Sequence, residues 1–216
     1  MRAVLFDLDG TLVDSAPAVF ETFRWALEQH GQLARIPYDL SLIGPPLRDT
    51  LARLTGTNDR AAIEPIAVTF RERYDTTGIA STPPFPGMTE TLEAVRVLGY
   101  ELFIVTNKRI HPTRLLVDRL GVGPLFRGLF SPDAFEPAKP NKPAVVAHVL
   151  EAFGVDAKAS AFVGDTMDDV NAAAAHGIPF VAADYGYGHL GEVEVPAAAR
   201  LAALTELPPA LRRLAS

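Results

Sequence analysis

Cysteine is absent from this 216-residue chain, which removes disulfides, thiolate catalysis and cysteine-ligated zinc from consideration. Lysine is scarce: Lys108, Lys139, Lys142 and Lys158 are the only four, and none precedes residue 108. Positive charge is in deficit overall, with a net charge of −6, which argues against nucleic acid or an anionic membrane as partner. Long apolar runs are missing too, and none approaches the ~20 residues of a spanning helix. The opening Met1-Arg2-Ala3-Val4-Leu5-Phe6 reaches Asp7 too soon to form a signal-peptide core. A cytoplasmic protein is therefore expected. The five histidines show no metal-ligand spacing.

What is present is a globular composition, 48% hydrophobic and 21% charged, sufficient for one domain or one domain carrying a smaller insertion. Four short apolar runs each end abruptly in polar residues. Ala3–Phe6 runs into Asp7, Leu102–Val105 into Thr106-Asn107, Ala161–Val163 into Gly164-Asp165, and Pro179–Ala182 towards Asp184. Apolar strands without alternation suit a sheet buried on both faces. Helical patterns with reasonable ends lie between them: Thr89–Leu98, His111–Leu120, Pro143–Phe153 and Asp168–His176, each stopping just before a glycine. Strand and helix in alternation predict an α/β fold, a doubly wound parallel sheet whose ligands sit at the carboxyl ends of its strands.

One stretch breaks this rhythm. Between about Ser15 and Thr82 no buried strand is evident, and helical signals dominate at Ala16–His30, Leu47–Leu54 and Ala61–Tyr74. The reading is a helical cap, residues 15–82, inserted into a catalytic core of residues 1–14 and 83–216, with hinges near Asp14–Pro17 and Ile79–Pro86.

Four segments carry candidate chemistry. Asp7-Leu8-Asp9-Gly10-Thr11 leaves the first strand, and two carboxylates so placed need a cation or a proton between them, unless they are simply solvated in a turn. Thr106-Asn107 could hold a phosphoryl oxygen with its hydroxyl and main-chain amides, or could merely cap a helix. Asp165 and Asp169 would project from adjacent turns, or serve as ordinary acidic residues at a helix start. The fourth segment, Ala138-Lys139-Pro140-Asn141-Lys142-Pro143, supplies a lysine. Lys142, immediately before a helix, would be held by its first turn, whereas Lys139 sits in a freer loop.

In this order, at strand ends, the four segments resemble the haloacid dehalogenase superfamily, in particular its phosphoglycolate-phosphatase-like branch. Ile43-Gly44-Pro45-Pro46-Leu47, Phe85-Pro86-Gly87 and Tyr185-Gly186-Tyr187-Gly188 add to the likeness, which covers nearly the whole chain. The resemblance implies a phosphatase with Asp7 as nucleophile, forming an aspartyl-phosphate, and Asp9 as general acid and then general base. It implies Mg2+ on the Asp7 side chain, the Asp9 carbonyl and Asp165, with Asp169 nearby. Thr106, Asn107 and Lys142 (or Lys139) would stabilise the phosphoryl oxygens. Arg48, in the cap, is the candidate to read an anionic tail such as a carboxylate or a second phosphate.

The substrate class so implied is a small phosphomonoester, phosphoglycolate first and nucleoside monophosphates next, acted on by a monomer or homodimer. A sugar-phosphate mutase of the same superfamily is the alternative. Dehalogenases of the superfamily lack the second carboxylate, and phosphonate cleavage through a Schiff base needs a cap lysine, which is missing here. A phosphorelay receiver shares the aspartate, threonine and lysine, but Asp9 would hasten loss of the phosphate that a receiver must store.

Overall fold

The computed structural model describes residues 1–188, 190–192 and 194–215. Six strands form one parallel sheet: β1 Ala3–Phe6, β2 Glu101–Val105, β3 Gly128–Phe130, β4 Ala161–Gly164, β5 Phe180–Ala183 and β6 Ala199–Leu201, in the order β3-β2-β1-β4-β5-β6. The chain winds outward from β1 in one direction through β2 and β3, then returns to the centre at β4 and winds the other way. This reversal opens a crevice at the carboxyl ends of β1 and β4, where loops leave in opposite directions.

Along β1, Val4 and Phe6 join one apolar layer while Ala3 and Leu5 join the other, and all four are fully buried. The second layer is closed by α6 Lys142–Phe153 and α7 Met167–Ala174, through Val145, Val146, Val149 and Ala173. The first is closed by α4 Met88–Val97, α5 Ile110–Arg119 and α8 Leu207–Leu214, and continues into the helices that lie between β1 and α4 in sequence. These are α1 Ala16–Gln29, α2 Leu47–Thr55 and α3 Arg60–Arg73, the last running into a π-helical turn at Tyr74–Gly78. Phe23, Phe70 and Tyr74 pack in series at this end, the first pair tilted and the second stacked, with ring centroids 4.4 and 5.7 Å apart.

The two chain segments that connect these helices to the sheet pair with each other. Asp14 N donates to Pro83 O and Phe85 N to Leu12 O, and Val13 bridges Pro84 in antiparallel fashion.

Two strands lie outside the four apolar runs of the sequence. Both β3 and β6 are three-residue edge strands, with one fully buried residue between them, Leu201. An edge position needs no continuous apolar run, because one flank faces solvent. Near the C-terminal end, Leu207–Leu214 forms α8 over the first layer.

Phe103 of β2 is fully buried against Phe153 and Phe130, at centroid distances of 5.0 and 6.4 Å. Phe103→Ala is expected to lower unfolding free energy by about 3–5 kcal/mol in a urea titration. A loss under about 1 kcal/mol would mean that this layer relaxes around the void.

Candidate active site

The crevice gathers carboxylates from two strand ends. Asp7 follows β1, Asp165 follows β4, and Asp169 lies in the first turn of α7; all three are buried, and one oxygen of each lies within 4.8 Å of the others. Each is fixed by its own local chemistry. The Asp7 amide donates to Val163 O of β4, so the residue leaves the sheet in a set direction. Asp165 accepts from the Thr11 hydroxyl at 3.0 Å and from the Tyr187 amide at 2.7 Å. Asp169 forms a capping box with Thr166, its Oδ2 taking the Thr166 amide and hydroxyl at 3.0 and 2.7 Å. Gly10 makes the approach of β1 and β4 loops feasible: its φ is +83°, and a Cβ there would sit 2.8 Å from the Asp165 carboxyl carbon.

Lys142 enters this cluster as the first residue of α6. Asn141 caps the helix by accepting from Ala144 N, and the lysine points inward, 4% exposed, donating to Asp7 Oδ1 at 2.9 Å and Asp169 Oδ1 at 2.6 Å. A cation at a helix amino end opposes the helix dipole, so the two carboxylates are what hold it there. Burial works against its charge, but Asp169 and Asp7 outweigh that and raise its pKa. Lys139 takes a different position, in the loop, with its ammonium over the Phe135 ring at 5.2 Å.

Three carboxylates against one ammonium leave excess negative charge in a buried place. Burial, with the charge of Asp169, raises the Asp7 carboxyl to about 6 despite Lys142. Burial, then Asp7 and Asp169, raises Asp165 to about 8. An all-oxygen donor set with unbalanced charge fits a hard divalent cation, which would restore neutrality and bring these groups back to their ionised forms.

Asp9 is directed elsewhere. Its carboxylate, 15% exposed, accepts both its bonds from Lys108 Nζ, at 3.0 and 3.1 Å, and that ammonium also donates to the Tyr74 hydroxyl at 2.8 Å. Thr106 is buried at the end of β2, its hydroxyl oxygen accepting from Lys108 N, which leaves its own proton free to donate. The Asn107 side chain reaches Asp168 at 3.0 Å. Arg48 is not turned to this group: its side chain is 58% exposed, and its Nε is paired with Glu64 of α3 at 2.7 Å.

Sequence reasoning assigned nothing to Lys108, Tyr74, Thr11 or Tyr187. For Lys108 a signal existed, since a scarce residue directly follows Thr106-Asn107. Thr11 closes the Asp7–Thr11 pentapeptide, and Tyr187 belongs to the Tyr-Gly-Tyr-Gly segment already noted; Tyr74 had no local signal.

The family model of the haloacid dehalogenase-like hydrolases matches residues 4–183. A phosphoglycolate phosphatase of Pseudomonas savastanoi pv. phaseolicola is 33% identical over 199 residues, covering 87% of this chain and 71% of that protein. The tyrosine-protein kinase PtkA of Mycobacterium bovis is 34% identical over 190 residues, covering 87% of this chain and 63% of the kinase. Among solved structures, a haloacid dehalogenase-like family hydrolase of Streptococcus pneumoniae aligns with a TM-score of 0.81 at 25% identity, covering 96% of each chain.

The raised Asp7 and Asp165 carboxyls bind protons more tightly in the folded than in the unfolded chain. Their stabilising effect is complete below the unfolded value of 3.8 and disappears as pH rises through about 6 and about 8. Melting temperature in EDTA is therefore expected to fall between pH 5 and 8.5, and a hard dication such as Mg2+ to raise it more at 8.5 than at 5. Equal dication effects at the two pH values would contradict a cation site built on these carboxylates.

Proposed function

The chain belongs to the haloacid dehalogenase-like hydrolases, and we propose that this phosphatase cleaves a small phosphomonoester through an aspartyl-phosphate on Asp7, with Mg2+ as its cation. The observation that carries the reading is the division of the two neighbouring aspartates. Asp7 sits with Lys142 and the buried carboxylates, whereas Asp9 is turned away from them to Lys108. A nucleophile and a proton carrier two residues apart need separate surroundings of this kind.

In this mechanism an Asp7 oxygen attacks phosphorus, the bond to the leaving oxygen breaks, and Asp9 gives that oxygen its proton. Water then attacks the phosphorus of the aspartyl-phosphate, Asp9 takes a proton from it, and the bond to Asp7 breaks to release inorganic phosphate. One difficult displacement becomes two. The side chains of Asp7, Asp165 and Asp169, with the Asp9 carbonyl, are the residues assigned to the cation, and Asp169 also steers Lys142. When bound, Mg2+ supplies positive charge to the phosphoryl oxygens and keeps Asp7 ionised. Lys142 and the Thr106 hydroxyl supply donors for the same oxygens, with the Asn107 amide beside them.

Residues 15–82 serve as a cap that limits access to small substrates and excludes water during chemistry. Phosphoglycolate is the first candidate, supported by the named activity of the Pseudomonas relative. The pairing of Arg48 with Glu64 speaks against Arg48 as the reader of its carboxylate.

Asp7→Asn is expected to abolish turnover of p-nitrophenyl phosphate while the protein remains folded and, in EDTA, melts no lower than wild type. EDTA should likewise stop wild-type turnover and Mg2+ restore it; activity surviving either treatment would refute the mechanism.

Steady-state rates should also separate the two lysines and test the arginine. Lys142→Ala is expected to cost far more in kcat than Lys139→Ala, the reverse order reassigning the role. Arg48→Ala should lower kcat/KM for phosphoglycolate no more than for p-nitrophenyl phosphate. A selective loss on phosphoglycolate would return Arg48 to the site.

A further inference from the structure

Lys108 is a buried ammonium that the mechanism above does not use. Its side chain is 8% exposed, and its three N–H donors match three acceptors at 2.8–3.1 Å: both Asp9 oxygens and the Tyr74 hydroxyl. Its base is fixed as well, through the bond from its main-chain N–H to Thr106 Oγ1. Tyr74 is fixed from the opposite side. It opens the π-helical turn, lies parallel to Phe70 (interplanar angle 5°), and Phe70 packs on Phe23 of α1. The ammonium also lies 4.4 Å from the Tyr74 ring centroid, a favourable cation–π position. One residue further along, Arg109 pairs with Asp75 at 2.7 Å, so two consecutive cations beside α5 meet two consecutive residues of the turn.

This arrangement reaches the one side chain that has to transfer a proton. Asp9 lies on a turn after β1, and the two-oxygen contact with Lys108 selects its side-chain direction. When Asp9 loses its proton, the O–H bond of the carboxyl breaks and one forms on the leaving oxygen as the P–O bond cleaves. The negative charge left on Asp9 then faces Lys108, at hydrogen-bonding distance in a site largely closed to water, where such a contact is strong.

We propose that Lys108, anchored by Tyr74, is the positioning residue that aims Asp9 at the leaving oxygen, so that proton transfer requires the helical stretch to be seated against α5. The inference rests on the phosphatase reading. It makes the cap's arrival and the competence of the acid a single event.

Leaving groups of different basicity test it. Nitrophenolate departs without a proton, whereas an alkoxide does not, so kcat/KM is compared for p-nitrophenyl phosphate, ethyl phosphate and phosphoglycolate. Lys108→Met is expected to lower both alkyl values by about 100-fold, the scale of general acid catalysis, with a much smaller loss on the nitrophenyl ester. Lys108→Arg should recover part of the alkyl activity. Tyr74→Phe, which keeps the ring and removes one oxygen, should show the same split in weaker form and guards against a folding defect.

Equal losses on all three esters would overturn the proposal, as would retained alkyl activity. A loss on phosphoglycolate that spares ethyl phosphate would also overturn it and make Lys108 a carboxylate-binding group. If wild type turns over none of the three with Mg2+ present, the phosphatase reading itself fails; that outcome is distinct from any effect of these variants.

Discussion

The buried carboxylate cluster at the carboxyl edge of this sheet depends on the ammonium of Lys142. It bridges the strand-end Asp7 and the helical Asp169 from a position that is almost inaccessible to water. Without a cation there, three carboxylates within 4.8 Å of one another would repel and would have no water to relieve them. Removing the lysine would leave the carboxylates uncompensated, a loss that for a buried pair commonly costs about 3–5 kcal/mol, so this ammonium carries weight beyond any chemical role. It also ties together three elements that are separate in sequence: the end of β1, the start of α6 and the start of α7.

The fold makes that convergence possible. Parallel strands deliver every βα loop to the same edge, and the reversal of winding between β1 and β4 leaves room there for side chains rather than a crossing loop. Helix starts then do the fine placement. Asn141 caps α6 and sets where Lys142 points; Thr166 and Asp169 cap α7 reciprocally and hold the carboxylate toward the lysine. The family match over residues 4–183 extends from within β1 to the last residue of β5, so it includes all of these placements.

What could be read from the sequence was local. Apolar runs that stop at polar residues gave the four central strands, and the residues just after β1, β2 and β4 gave Asp7, Thr106 and Asp165. The gathering of Asp7, Asp165 and Asp169 follows from the adjacency of β1 and β4, a strand order that the sequence pattern left open and that only the family resemblance implied. The edge strands β3 and β6 left little trace, since three residues with one open flank need no distinctive pattern. Arg48 illustrates the other limit: its partner Glu64 stands on a different helix, and only the packing of α2 on α3 brings them together. The contact between Lys108 and Tyr74 is equally non-local, and it depends on a π-helical turn that no periodicity announces.

The paired connectors, Leu12–Asp14 against Pro83–Phe85, have a consequence for chain entropy. Because those connectors are hydrogen-bonded to each other beside the sheet, everything between them is a loop whose ends are already joined. The cost of closing such a loop grows only with the logarithm of its length, about 0.6 kcal/mol for each doubling. Helices can therefore be lengthened, shortened or exchanged between these two points with little effect on how the sheet closes. On these grounds the helices between the connectors can change while the strands that hold Asp7 and Asp165 remain in register.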